Sequence, residues 1–155
     1  MTEFERLGEN NLAYAVGLAR ELHGLGYFGH NGPEFEWDFC HATMLYNMTN
    51  KFYYFNLAKV DNEYVGAVCG KVESFFFSPK FLGVEDAWYV REGTPKRASV
   101  GMKLMHGFMD WCFETHNAEL IQTGDIAGIR SIAVDTLYRH MGFERFGTIY
   151  KYVRT

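Results

Sequence analysis

Cysteine and proline are both scarce in this sequence, three of each, and neither is placed where it would carry a scaffold. Cys40, Cys69 and Cys112 are odd in number, far apart and set in apolar runs, without a C-x-x-C. A disulfide framework, a zinc site and a dithiol redox centre are therefore not expected, and the cysteines read as reduced core thiols. Pro33, Pro79 and Pro95 fall where loops are predicted, and no repeat, low-complexity tract or Pro/Gly-rich linker interrupts the chain. At 155 residues this predicts a single domain over residues 1–155. Cations are not in excess: 15 Lys and Arg stand against 19 Asp and Glu, a net charge of −4. Coating nucleic acid rests on clustered cations neutralising phosphates, so no nucleic-acid partner is expected and any basic site must be local. No run of about 18 apolar residues is present, and Glu3, Glu5 and Glu9 precede any apolar stretch. Neither a membrane span nor a signal peptide is expected, which predicts a cytoplasmic protein. The six histidines show no metal spacing, so no metal site is expected.

Aromatic residues, by contrast, are abundant at 17%, and cluster at 52–55, 75–77, 88–89 and 108–113, where they are expected to fill a sheet–helix interface. Residues 3–7 can form a first strand. Asn10 or Asn11 can cap a helix with Leu12, Val16, Ala19 and Leu22 at helical spacing, ended by Gly24 and Gly26. A second helix is predicted near 34–47 with Phe35, Phe39, Ala42 and Leu45 on its buried side. Residues 51–60 and 64–74, separated by Asp61-Asn62, have the pattern of a tight β-hairpin. Residues 75–81 should loop over to a strand near 83–90. A polar turn over 91–99 then leads into a helix over 100–115 that buries Val100, Leu104, Phe108 and Cys112. A short strand at 120–123, a helix at 131–140 and a last pair of strands ending near Val153 complete the order. A helix linking two strands of one sheet makes them parallel, so the expected fold is α/β (α+β): a mixed sheet with helices on both faces.

Chemistry is concentrated in the run Trp88, Tyr89, Val90, Arg91, Glu92, Gly93, Thr94, Pro95, Lys96, Arg97, Ala98, Ser99, Val100, Gly101, Met102. A strand here enters a small-residue turn that opens a helix. The first amides of a helix lack internal partners and lie at the positive end of its dipole, which makes the junction an anion site. Ala98, Ser99 and Gly101 would let backbone approach an oxyanion, and Lys96, Arg97 and Lys103 add positive charge.

Lys96-Arg97-Ala98-Ser99-Val100-Gly101 resembles the coenzyme A pyrophosphate signature of the GNAT family of N-acetyltransferases, Gln/Arg-x-x-Gly-x-Gly/Ala, with Lys96 at the first position and Ser99 for the first glycine. Leu137-Tyr138-Arg139-His140-Met141-Gly142-Phe143 resembles the family's Tyr-x-x-x-Gly-Phe helix ending, with Ser131 where an Asn often starts that helix. The resemblance implies a mixed, mostly antiparallel sheet of about six or seven strands with about four helices on its two faces. It implies acetyl-CoA (coenzyme A) as cofactor, held by Trp88, Tyr89, Val90 and Arg91 along the strand and by residues 96–102 at the turn. It also implies an acyltransferase that acetylates a primary amine by direct attack on the thioester, with a small-molecule or peptide amine as acceptor. Tyr138 would protonate the departing sulfur and Glu85 would be the base, with Asp86, which faces the other way along the strand, as its substitute. Tyr27, Phe28, Phe35, Trp37, His30 and His41 fall in the segment that shapes the acceptor cleft in such proteins. A homodimer through sheet edges or aromatic patches is the default expectation. The alternative is a catalytically weak or inactive GNAT-fold binding module that acts through protein–protein interaction, which the departures from the signature at Lys96 and Ser99 keep open.

Overall fold

In a computed structural model that describes residues 1–26, 32–124 and 131–147, the chain runs β1 (Thr2–Arg6), α1 (Leu12–Leu25), α2 (Trp37–Met48), β2 (Tyr53–Val60), β3 (Glu63–Phe75), β4 (Ser78–Val90), α3 (Arg97–Asp110), β5 (Leu120–Gln122) and α4 (Ser131–His140). The strands form one sheet in the order β1-β2-β3-β4-β5. All neighbours are antiparallel except β4 and β5, which α3 connects and which run parallel. The mixed, mostly antiparallel sheet agrees with the expectation, with five strands among the described residues where about six or seven were implied. Residues 143–147 are not in a strand, and the rest of the expected last pair lies outside the described residues.

The hairpin between β2 and β3 is the expected one. Asp61 and Asn62 both take left-handed backbone, φ 48° and 68°, which is the geometry of a two-residue turn matched to strand twist. The connection of β3 to β4 differs from expectation. Instead of a loop over 75–81 there is a second tight hairpin in which Phe75 pairs Ser78, so Phe76 and Phe77 form its tip, 105% and 84% exposed. These two rings therefore fill no sheet–helix interface, because they lie past the last residues that α3 covers.

The sheet is packed on both faces. On one, Val100, Leu104, Met105, Phe108 and Cys112 of α3 and the turn after it join Tyr54, Val68 and Val72 of the sheet, with Tyr138 and Phe143 partly buried against them. That row of α3 is the one its spacing predicted, and residues Trp111–Thr115 continue the helix as a wider π turn. Gly70 is what lets α3 lie so close: a Cβ there would stand 2.6 Å from Phe108 Cζ. On the other face Leu12, Ala15, Val16 and Leu18 of α1 and Met44 of α2 cover Phe55, Leu57, Ala67, Cys69 and Tyr89. α2 turns a different side inward from the one expected. Cys40 and Met44 pack against the core, whereas Phe39 is 72% and Leu45 44% exposed and Ala42 is exposed. Trp37, Phe39, Cys40, Ala42, Met44, Leu45 and Tyr46 are distributed all round this helix, so periodicity could not choose its face.

Candidate functional site

The sheet opens on one side of β4. β4 and β5 pair over Leu82–Leu120, Gly83–Ile121 and Val84–Gln122 and then part. One residue later the ladder to β3 is interrupted as well: Gly70 pairs Glu85 and Cys69 pairs Ala87, so Asp86 is an extra residue on β4. A bulge of this kind bends its strand and increases its twist, which carries β4 away from the line of β5. Arg91 N–H donates to Val65 C=O at 2.7 Å, so it faces β3. Main-chain groups alternate along a strand, so Val90 and Trp88 face the opposite edge, where no strand pairs with them among the described residues. Arg97 Nε already donates to Val90 C=O at 2.7 Å, which ties the helix start to this edge.

The open edge leads into the start of α3. Gly93, at φ 82°, and Thr94, whose N–H donates to Arg91 C=O at 3.3 Å, turn the chain, and Lys96 caps the helix in left-handed backbone, φ 54°. Val100 N–H makes the first bond into the helix, to Lys96 C=O at 3.0 Å. The amides of Arg97, Ala98 and Ser99 precede it and stand at the positive end of the helix dipole. Lys96 and Ala98 are exposed and Arg97, Ser99 and Met102 half-buried, so side chains do not seal the turn. Val100 and Gly101 face inward. Gly101 makes room for an indole: a Cβ on it would come within 3.3 Å of Trp88 Cζ2, and Trp88 Nε1–H donates to Gly101 C=O at 3.0 Å.

Where β4 leaves β5, three oxygens meet. Thr123 Oγ1, just past β5, is 2.5 Å from Glu85 Oε2 and 2.6 Å from Tyr138 Oη, and Tyr138 Oη is 3.0 Å from the same Glu85 oxygen. The phenol is held by its surroundings. Its ring packs on Trp88 and on Phe143, centroids 5.2 and 5.4 Å away. Gly142, at φ 92°, turns the chain after α4 so that Phe143 comes back over it. Burial pushes the Glu85 carboxyl up to about 7, against the pull of the Thr123, Tyr138 and Gly124 hydrogen bonds, with Asp86 adding a like charge.

The bulge separates the two carboxylates that the sequence left as alternatives. Glu85 joins Tyr138, whereas Asp86 is exposed and shares its field with Lys71 and Glu73. Arg91 turns away from the open edge: its guanidinium makes a two-bond contact with Glu21 of α1, at 3.0 and 2.7 Å, and also contacts Glu63. Tyr89 is buried and donates to Glu21 at 3.2 Å. These residues fix the end of β4 to α1. Cys69 and Cys112 are raised by burial to about 12 and Cys40 is also raised, so none is a ready thiolate. Tyr27, Phe28 and His30 lie outside the described residues; Phe35 and His41 are half-buried and Trp37 is 41% exposed. Among the described residues no group of His, Cys, Asp and Glu could hold a metal, and no helix is long and apolar enough to cross a membrane. Thr123 was not singled out in the sequence. Its only signal is its place, a polar residue at the end of a strand where the sheet opens.

No protein-family model and no curated protein matches the sequence. Solved structures do match in three dimensions. AAC(6')-Iy in complex with the bisubstrate analogue CoA-S-monomethyl-acetylneamine superposes with a TM-score of 0.77 at 13% identity, over 100% of this chain and 99% of that one. An aminoglycoside acetyltransferase from an uncultured soil metagenomic sample, in complex with trehalose, gives 0.72 at 20% identity, over 99% and 97%. A Trypanosoma brucei acetyltransferase gives 0.71 at 14% identity, over 98% and 99%. The chain has a GNAT-like α/β fold.

Proposed function

We propose that this chain transfers an acetyl group from acetyl-CoA to a primary amine by direct attack of the amine on the thioester. The observation that carries the reading is the path from the oxygen cluster at Glu85, along the edge at Trp88 and Val90 that no strand pairs among the described residues, to the helix start at 96–99. An extended tail with amides can add to such an edge as a strand does, and a diphosphate suits the amides of Arg97, Ala98 and Ser99 beside the cations of Lys96 and Arg97. The residues present fit coenzyme A in charge, with Lys96, Arg97 and the free amides of the helix start placed for its diphosphate. The solved relative bound to a coenzyme A analogue supports the same assignment.

Bound acetyl-CoA supplies an activated acyl carbon. The protein's part is to aim it at the amine, to take a proton from the nitrogen and to give one to the sulfur. Glu85 is the base, Tyr138 the acid, and a carboxyl tuned near neutrality is matched to that task. With all three cysteine thiols held protonated by burial, direct transfer is favoured over an acyl-cysteine intermediate. A small cationic acceptor is the favoured class. Asp86 and Glu73 carry negative charge beside the bulge, and several solved relatives are named aminoglycoside acetyltransferases. The protein works without nucleic acid, in the cytoplasm, as a homodimer.

Thiol release from acetyl-CoA across a panel of amines, aminoglycosides included, tests this. Release should depend on the amine, and Tyr138→Phe should lower kcat by about 10²-fold with coenzyme A affinity within about twofold. A variant rate near that of the wild type removes Tyr138 from the reaction.

A further inference from the structure

The indole of Trp88 stands between the helix start and the oxygen cluster, and Gly101 is shaped to it. The ring is half-buried on the face of the sheet that α3 covers. Its Nε1–H donates to Gly101 C=O at 3.0 Å. A helical carbonyl already serves the amide four residues on, and its second lone pair takes the indole, so the helix is left intact. The three atoms nearest a Cβ built on Gly101 all belong to this ring, Cζ2 at 3.3 Å and Cε2 and Nε1 both at 3.6 Å. Gly101 is buried, whereas the amides of Arg97, Ala98 and Ser99, which have no partner inside the helix, come before it in the turn. On its other side the indole packs on Tyr138, ring centroids 5.2 Å apart. Tyr138 packs in turn on Phe143, and its hydroxyl lies 3.0 Å from Glu85 and 2.6 Å from Thr123. α3 cannot lift away from the ring without uncovering Val100, Leu104 and Phe108, which are buried on the sheet. In a close-packed interior, a ring held on both sides passes a displacement from one neighbour to the other.

We propose that Trp88 is a positioning residue whose side chain fixes the distance between the anion seat at the start of α3 and the Tyr138 hydroxyl, and that residue 101 is glycine to admit this indole. The catalytic part of this inference deepens the proposed acetyl transfer and rests on it. The diphosphate and the sulfur of coenzyme A are joined by an arm of fixed bond lengths, so a diphosphate seated at 97–99 sets how far along β4 the sulfur can reach. The acid must stand at that place. The indole spans the two, hydrogen-bonded to the first turn of α3 and packed on the phenol. A misplacement of about 1 Å at reacting groups is worth about 10²-fold in rate, so a small shift of the ring is read at Tyr138. On this account the inward-facing Gly101 serves packing within the protein, and the diphosphate is left to the amides and cations before it.

Trp88→Phe keeps a ring beside Tyr138 and removes the atoms that meet Gly101; Gly101→Ala pushes the indole without removing it. Thermal melts of the protein alone read the first half of the proposal. Gly101→Ala should lower the melting temperature of the wild type, where it crowds a ring that cannot yield, and raise that of Trp88→Phe, where alanine simply favours the helix. Calorimetric titration with coenzyme A should show that Gly101→Ala leaves affinity within about twofold in the Trp88→Phe background. A melting shift of the same sign in both backgrounds, or an equal loss of affinity with and without the indole, overturns the assignment of Gly101 to Trp88. The second half is read with acetyl-CoA and the amine that gives the fastest thiol release. Trp88→Phe should lower kcat about tenfold with KM for acetyl-CoA within about threefold, and lower it less than about twofold when Tyr138→Phe is already present. Equal losses with and without the phenol hydroxyl make Trp88 a merely structural residue and overturn the positioning role. Should Trp88→Phe fail to fold, Gly101→Ala alone carries the same comparison of kcat with and without Tyr138→Phe. A wild type silent toward every amine overturns the acetyl-transfer reading and the catalytic half with it, while the melts still decide whether residue 101 is glycine for the indole.

Discussion

Glu85 shows how much one position in a strand can settle. It is half-buried, three hydrogen-bonding neighbours reach it, and burial still wins, so its carboxyl stands at about 7 in place of the ordinary 4.5. The sign of the pH dependence follows. A carboxyl whose folded pKa is raised holds its proton more tightly in the native state, so its contribution to stability is complete below about pH 4.5 and is lost as pH rises through about 7. Glu85→Gln cannot ionise. Its melting temperature relative to wild type should therefore rise between pH 4.5 and 8, and parallel thermal melts across that range check it. A difference that is flat with pH would mean that Glu85 titrates normally. The sequence carried Glu85 and Tyr138 only through a resemblance. What it could not carry was the choice between Glu85 and Asp86, because a bulge changes which way a side chain faces and leaves no mark in a run of strand-forming residues.

At the scale of elements, legibility followed the uniqueness of the pattern. α3 has one apolar row, and all four residues expected on it, Val100, Leu104, Phe108 and Cys112, are buried. α2 carries apolar residues all round, and the side expected to be buried, with Phe39, Ala42 and Leu45, is not the one that packs. The β3–β4 hairpin was read as a loop because Pro79 and three consecutive phenylalanines resemble a break followed by core, whereas Pro79 is tolerated at an unpaired stretch of β4 near the tip. The junction before α3 offers a test that separates binding from folding. Lys96 is a non-glycine residue in left-handed backbone, a conformation that costs about 1–2 kcal/mol and that glycine adopts freely. Lys96→Gly should leave stability unchanged or raise it by up to about 1 kcal/mol, while weakening coenzyme A about five- to tenfold through the lost charge. Melts and titrations on the same preparation read both quantities. Loss of both together would make Lys96 a structural residue.

Over the whole molecule, two cores hold β4 from opposite faces. α3 and α4 grip it through Trp88, Phe108 and Tyr138 on one side, and α1 through Tyr89, Arg91 and Glu21 on the other. Between them one edge of the strand has no paired strand beyond Val84 among the described residues, and the anion-ready helix start lies at its far end. The account depends on that edge being a place for coenzyme A. Calorimetric titration of the wild-type protein with coenzyme A, beside its fragment pantetheine, tests it most directly. The account predicts one site per chain, with Kd in the micromolar range, worth about 7–8 kcal/mol, and much weaker binding of pantetheine, which lacks the diphosphate. No heat with millimolar coenzyme A, or equal affinity for the two, would contradict it.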